Sequence, residues 1–505
     1  MMRRQIKLMG WLFVSALAAC TSETPNPADG GNAAENVQKL VINLSDGGDR
    51  LTTRAGRPLH SSEPGQWVQH VTLYVTNEQG IVLQKEIDEH VWANAVDYSN
   101  GKQLEVTFRA TEGEQLPAGD YTVYAVAFSK ETDYRITPEP NSNPEINAIE
   151  DGQINPSLVQ SFDFTKTFSA VLNSGVVDAE EIFAGVAKVT ATTVGENNCL
   201  VHTKEVSDEV TAVYEKKEVP FITLNRQVAG TIGYFTNIPA RVGDAVPTRI
   251  RLVAANRSDK VWFTNMITGE TETTTDKKDV SWVINGSQSA TLPKNAYYYS
   301  SDQAAYDAYE IYSIDLSQWF KFDGTDGRAT FTACDLDEDG YVGEKDAEKY
   351  IETYHPDSDD LSGFWKNPNS ATEHPQQLVP GSVFAGRFLI PFSLVSGKET
   401  FELQLLGNET GKPEQILKSW RVKVSADGKH DVTDVEVPTG VIVPAADQDY
   451  VYNIYRNHMY SIGKKTADGA IEGDDPADLN TAQDLIITVN SQWQIVHGME
   501  LEPAQ

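Results

Sequence analysis

Three stretches of this 505-residue chain combine residue types and spacings that can do chemistry. The first is Leu17-Ala18-Ala19-Cys20, preceded by Arg3, Arg4 and Lys7 and then by an apolar run. That order is a bacterial secretory signal ending in a lipobox, so Cys20 is expected to become the acylated first residue of the exported protein. The apolar run is too short to span a bilayer, which leaves lipid, palmitate included, as the expected anchor. The second stretch is Asp335-Leu336-Asp337-Glu338-Asp339-Gly340-Tyr341-Val342-Gly343-Glu344-Lys345-Asp346. Asp335, Asp337 and Asp339 stand at positions 1, 3 and 5 of a twelve-position calcium loop, and Gly340 permits the sharp turn at 6. The Tyr341 carbonyl would serve at 7, and Asp346 closes the loop where a glutamate is usual. A structural Ca²⁺ is the expected occupant, and a plain acidic turn is the alternative.

The third stretch is a loop with Arg50, Arg54 and Arg57 that follows a short strand pattern. Arg57 precedes Pro58, which most trypsin-like enzymes refuse, and Arg50 lies nearest the strand. The Arg54-Ala55 bond is therefore the expected site of proteolytic processing, against the alternative of a solvated basic loop. No Gly-x-Ser-x-Gly elbow, His-Glu-x-x-His pair or phosphate-cradling glycine loop is present, so no catalytic residue and no enzymatic activity are expected. With 73 acidic against 41 basic residues the formal charge is −32, which sets the chain against nucleic acid and anionic membranes. Besides Cys20, Cys199 and Cys334 are either one disulfide or two buried thiols, and sequence leaves that choice open.

The elements around these stretches read as strands. Residues 1–20 are a signal peptide and 21–54 a tether and N-terminal strand, in which Leu40, Ile42 and Leu44 share one face. Short alternating runs fill 55–215, and a second set begins near Val219 and continues to residue 463. Two tandem β-sandwich domains are the economical reading, an all-β fold. Helix is expected only over Gln303–Tyr309 and Glu344–Tyr354, and Thr330 to Cys334 reads as strand. Residues 464–505 form an acidic linker and a strand whose odd positions are apolar, with Ser491 and His497 the interruptions: Leu485, Ile487, Val489, Trp493, Ile495, Met499 and Leu501. Such a strand can fold onto its own domain or pair with another molecule. The aromatic cluster from Tyr297 to Phe322 reads as core rather than as a sugar-stacking platform.

Taken together, the lipobox, Thr52-Thr53-Arg54-Ala55, Leu224-Asn225-Arg226-Gln227-Val228-Ala229, Tyr452-Asn453-Ile454-Tyr455-Arg456-Asn457-His458 and the closing Asp484-Leu485-Ile486-Ile487-Thr488-Val489 with Trp493 carry a family likeness. In their order and spacing the chain resembles the fimbrillins of the Bacteroidales, lipoprotein pilins that include the major and minor fimbrial subunits of Porphyromonas, and it is nearest the minor-fimbria type. The resemblance implies transthyretin-like sandwiches, export to the cell outer membrane, and removal of the N-terminal strand by an arginine-specific protease. It also implies a C-terminal donor strand that fills the vacated groove of a second copy, so that the protein itself, with fimbrial anchor and tip subunits, would be its partner in a surface fimbrium supporting adhesion. Two other readings stay open: a surface glycan-binding lipoprotein that does not polymerise, and an anchor or tip subunit of the same fimbria.

Overall fold

The computed structural model describes residues 37–44, 68–98, 101–129, 132–140, 146–194, 197–203, 219–263, 284–289, 308–322, 329–368, 377–393, 400–424, 453–465, 471–480 and 485–490. Strands dominate them and the helices are short, the longest described one being Glu344–Tyr354, so the fold is all-β as expected.

The first sheet is built from β1 (Gln38–Leu44), β2 (His70–Asn77), β3 (Gly80–Ile87), β4 (Val96–Tyr98), β5 (Gly101–Phe108), β6 (Gly119–Phe128), β7 (Phe183–Val194), β8 (Asn197–His202) and β9 (Phe221–Arg226). Its order is β3-β2-β6-β7-β9-β1-β5-β4, with β8 paired to β7. The alternation read in β1 is real: Gln38, Leu40, Ile42 and Leu44 are buried, and the residues between them are half-buried or exposed. Those apolar residues join one core cluster with Leu104, Val106, Phe108, Ile222 and Leu224.

A second sheet takes up β10 (Ala229–Thr236), β11 (Val246–Ala254), β12 (Tyr309–Asp315), β13 (Val383–Leu389), β14 (Phe401–Asn408), β15 (Gln415–Val424), β16 (Met459–Ile462), β17 (Ala477–Asp478) and β18 (Leu485–Asn490). The order is β12-β11-β14-β15-β18-β16-β10-β13, and β17 pairs with β10. Smaller sheets, one of them four-stranded, complete the described strands.

Three expectations need correction. The run beginning at Val219, expected to open the second set of strands, belongs to the first sheet: β9 pairs with β7 and, in parallel, with β1. Its alternating pattern fits any half-buried slot, and the close approach allowed by Gly185 decides which one. A Cβ at Gly185 would lie 2.2 Å from the Thr223 carbonyl oxygen. Secondly, Phe331–Cys334 is a 3₁₀ turn rather than a strand, held by Thr332 Oγ1 donating to the Ala240 carbonyl at 2.8 Å. Tyr309, expected to end a helix, instead opens β12. The helix Glu344–Tyr354 has the expected bounds.

Candidate functional site

β1 occupies an interior slot. On one side it runs antiparallel to β5, with Leu40 opposite Val106 and Ile42 opposite Leu104. On the other it runs parallel to β9, with Ile42 opposite Ile222 and Leu44 opposite Leu224. Both rows of its backbone groups are therefore used, and its apolar face is sealed in the core. At its start Gln38, 1% exposed, makes a two-way clamp on a residue far along the chain. Its Nε2 donates to the Leu116 carbonyl at 2.9 Å, and its Oε1 accepts from the Leu116 N–H at 2.8 Å. On the opposite face Gln103 Nε2 donates to Asn43 Oδ1 at 2.6 Å, and Lys39 pairs with Glu105 at 2.8 Å. That ion pair is half-exposed and contributes little.

The C-terminal strand sits in a slot of the same kind. β18 runs parallel to β15, with Leu485 opposite Val422, and antiparallel to β16, with Val489 opposite Tyr460. Leu485 is 2% exposed. Of the two outcomes open to this strand, the structure shows residues 485–490 folded onto their own chain, as an interior strand of its second sheet. The segment before it is packed as well. Lys465 Nζ meets the Asp474 carboxylate at 3.1 Å, with side chains 3% and 0% exposed. Tyr234 donates to that carboxylate at 3.1 Å, Leu479 is buried, and β17 pairs with β10. Among the described residues, an acidic segment containing glycine and proline is thus anchored by a shielded ion pair, a buried leucine and a short strand pairing.

In the acidic loop the structure brings together Asp335, Asp337 and Asp346, whose ligand oxygens lie within 4.8 Å of one another. Gly340, at φ +91°, makes the turn, and Val342 is buried and pairs with Ile238, which holds the loop against the second set of strands. Asp346, at the first turn of the helix Glu344–Tyr354, accepts from the backbone N–H groups of Leu336 at 2.5 Å and Gly343 at 2.8 Å. Burial outweighs those bonds and pushes its carboxyl up to about 6. Burial, with the charges of Asp339 and Asp337, raises Asp335 too. Asp335 Oδ1 is shielded from solvent and has no hydrogen-bond partner, an orphaned acceptor of the kind a hard cation satisfies. Asp339 stands outside this group of three. It accepts from the Tyr341 N–H at 3.0 Å and from Lys345 Nζ at 3.3 Å.

The remaining sites fall out as follows. Cys20, Arg54, Ala55, Trp493, Ile495, Met499 and Leu501 lie outside the described residues, as do Tyr297 to Tyr299 and Tyr306. Within the aromatic cluster, Tyr312, Trp319 and Phe320 are buried in the core, with Phe320 and Phe331 packed edge-on at 5.3 Å. Cys199 and Cys334 are both buried. Sequence reasoning missed the Gln38 clamp. Its signal was a glutamine in phase with Leu40, Ile42 and Leu44 on the buried face, a polar residue that such a position tolerates only when it is hydrogen-bonded.

No family model matches the sequence, and no curated protein matches it. Among solved structures the chain is similar to a fimbrilin from Porphyromonas gingivalis, at 12% identity over 90% of this chain and 97% of that one, with a TM-score of 0.32. It is also similar to a fimbrial assembly protein from Parabacteroides distasonis, at 10% identity over 86% and 92% of the two chains, with a TM-score of 0.30.

Proposed function

We propose that this protein is a structural subunit of a cell-surface fimbria. It is exported to the outer membrane as a lipoprotein on Cys20, cut by an arginine-specific protease between Arg54 and Ala55, and polymerised by strand exchange to support adhesion. The observation that carries the reading is the place of β1: an interior strand that lies wholly upstream of the arginine-bearing loop. A cut at Arg54 severs it from everything it packs against. Its loss would uncover the facing edges of β5 and β9 and the apolar floor at Leu104, Val106, Ile222 and Leu224. An open slot of this kind is a template for an added strand. The C-terminal segment that begins at Leu485 and alternates to Leu501 supplies that strand from a second copy. Each contact is head-to-tail, so the product is an open filament that begins and ends on anchor and tip subunits.

Calcium enters this reading as a structural ion. Asp335, Asp337 and Asp346 would hold it, with Asp339 and the Tyr341 carbonyl as the further oxygens of the motif, and its binding to the folded loop alone would stabilise the fold. No catalytic residue is assigned.

The test is treatment of protein lacking residues 1–20 with an arginine-specific protease, followed by N-terminal sequencing and electron microscopy. A new terminus at Ala55 and filaments that disappear when residues 484–505 are deleted are the expected results. A resistant Arg54 and a persistent monomer would replace the shaft-subunit reading with that of an anchor or a glycan-binding lipoprotein.

A further inference from the structure

The strands at the two ends of the chain carry similar peptides, identical at three of seven positions. Gln38-Lys39-Leu40-Val41-Ile42-Asn43-Leu44 aligns without a gap with Gln483-Asp484-Leu485-Ile486-Ile487-Thr488-Val489. Glutamine, leucine and isoleucine recur at the same alternate positions, and Val489 answers Leu44. Their surroundings match too. β1 lies between a parallel neighbour, β9, and an antiparallel one, β5, while β18 lies between parallel β15 and antiparallel β16. A slot bounded in this mixed way accepts a strand in one direction only, because parallel and antiparallel edges present differently spaced backbone groups. The two strands are therefore similar plugs in similar sockets.

We infer that the β1 slot, once vacated, receives Gln483–Val489 of a second copy in the direction and register of β1, with the Gln483 amide taking over the clamp on Leu116. The inference rests on the strand-exchange reading and adds to it the segment, its polarity and the residue that sets its register. Leu116 offers an N–H and a carbonyl to the slot, and Gln38 satisfies both. A strand without an amide at that point leaves two shielded groups unpaired. Slippage by one residue turns the apolar face outward, and slippage by two can set Leu485 against the clamp. Leu485 and Ile487 would then repeat the packing of Leu40 and Ile42. The alternation, interrupted at Ser491 and His497, continues through Trp493, Ile495, Met499 and Leu501, so the same tail holds a further apolar stretch to refill the slot that Leu485–Asn490 leaves. At one place the copy is opposite in charge: Asp484 replaces Lys39, the partner of Glu105.

The experiment uses the protease-treated chain and a fluorescent synthetic peptide of residues 482–490, with anisotropy as the readout. Saturable binding to the cleaved but not the uncleaved protein is expected. A Gln483→Ala peptide should bind about tenfold more weakly or worse, because both Leu116 groups lose their partner. Glu105→Lys in the protein should tighten binding by removing the repulsion from Asp484. Register is read by disulfide capture: Gln103→Cys in the protein should trap a Thr488→Cys peptide, the counterpart of Asn43, and not an Asn490→Cys peptide. Equal binding of the Gln483→Ala peptide, or capture at position 490 instead, overturns the inference. Filaments that form without any peptide binding overturn it too and leave the fimbrial reading standing. Peptide capture by a chain that stays monomeric upholds the slot assignment and removes the filament, and loss of both outcomes removes both.

Discussion

Asp346 is pulled in two directions. It closes the acidic loop by accepting backbone N–H bonds, yet burial lifts its carboxyl from the ordinary value near ~3.9 to about 6. The folded chain therefore binds a proton there more tightly than the unfolded chain does. In a chelator, stability is expected to be greatest below pH ~4 and to fall as the pH rises towards 6, because ionisation is the disfavoured state. A bound cation reverses the sign by favouring the carboxylate. Thermal melts between pH 4 and 7 should show that decline with chelator and lose it with millimolar Ca²⁺, and Asp346→Asn should flatten both curves. Gln38 carries the second prediction at this scale. Gln38→Ala strands the Leu116 N–H and carbonyl, so denaturant unfolding should report a loss of about 1–3 kcal/mol. The acidic loop was legible because its carboxylates are neighbours in the chain. The clamp was not, because its two halves lie 78 residues apart.

The N-terminal strand is where local pattern and packing agree best. Burial of Leu40, Ile42 and Leu44, at ~1.5–3 kcal/mol each, gives on the order of 6 kcal/mol gross, enough that a severed β1 leaves slowly unless something replaces it. Ile42→Ala should cost about 2–4 kcal/mol in equilibrium unfolding of the uncleaved chain and should speed the release of β1 after proteolysis, read as the rate of filament growth. The segment before β18 shows the opposite case. Its acidic, glycine- and proline-containing composition reads as linker, but Asp474 is the shielded partner of Lys465. Asp474→Ala should destabilise the fold by about 3 kcal/mol or more by removing the carboxylate that the shielded Lys465 ammonium meets, with the loss measured by calorimetry. Composition reports the average wetness of a segment. It does not report a pair that docks it.

Over the whole molecule the formal charge of −32 opposes any self-assembly. Copies that polymerise by burying apolar strands should do so faster when that repulsion is screened, so light scattering after protease treatment should rise more steeply at ~150 mM salt than at ~20 mM. A filament held mainly by ion pairs between copies would show the reverse. The sequence by itself determined the all-β class, the acidic loop with its helix at Glu344–Tyr354, and the alternating face of the N-terminal strand, because each depends on residues within one element of one another. Only the tertiary structure decided where the strands go. β9 joins the first sheet through a contact with Gly185, β18 closes an interior slot of its own chain, and Gln38 finds Leu116. A period-two pattern defines which side of a strand is buried and says nothing of its neighbours; pairing is selected by edges, close approaches and polar clamps contributed from distant parts of the chain.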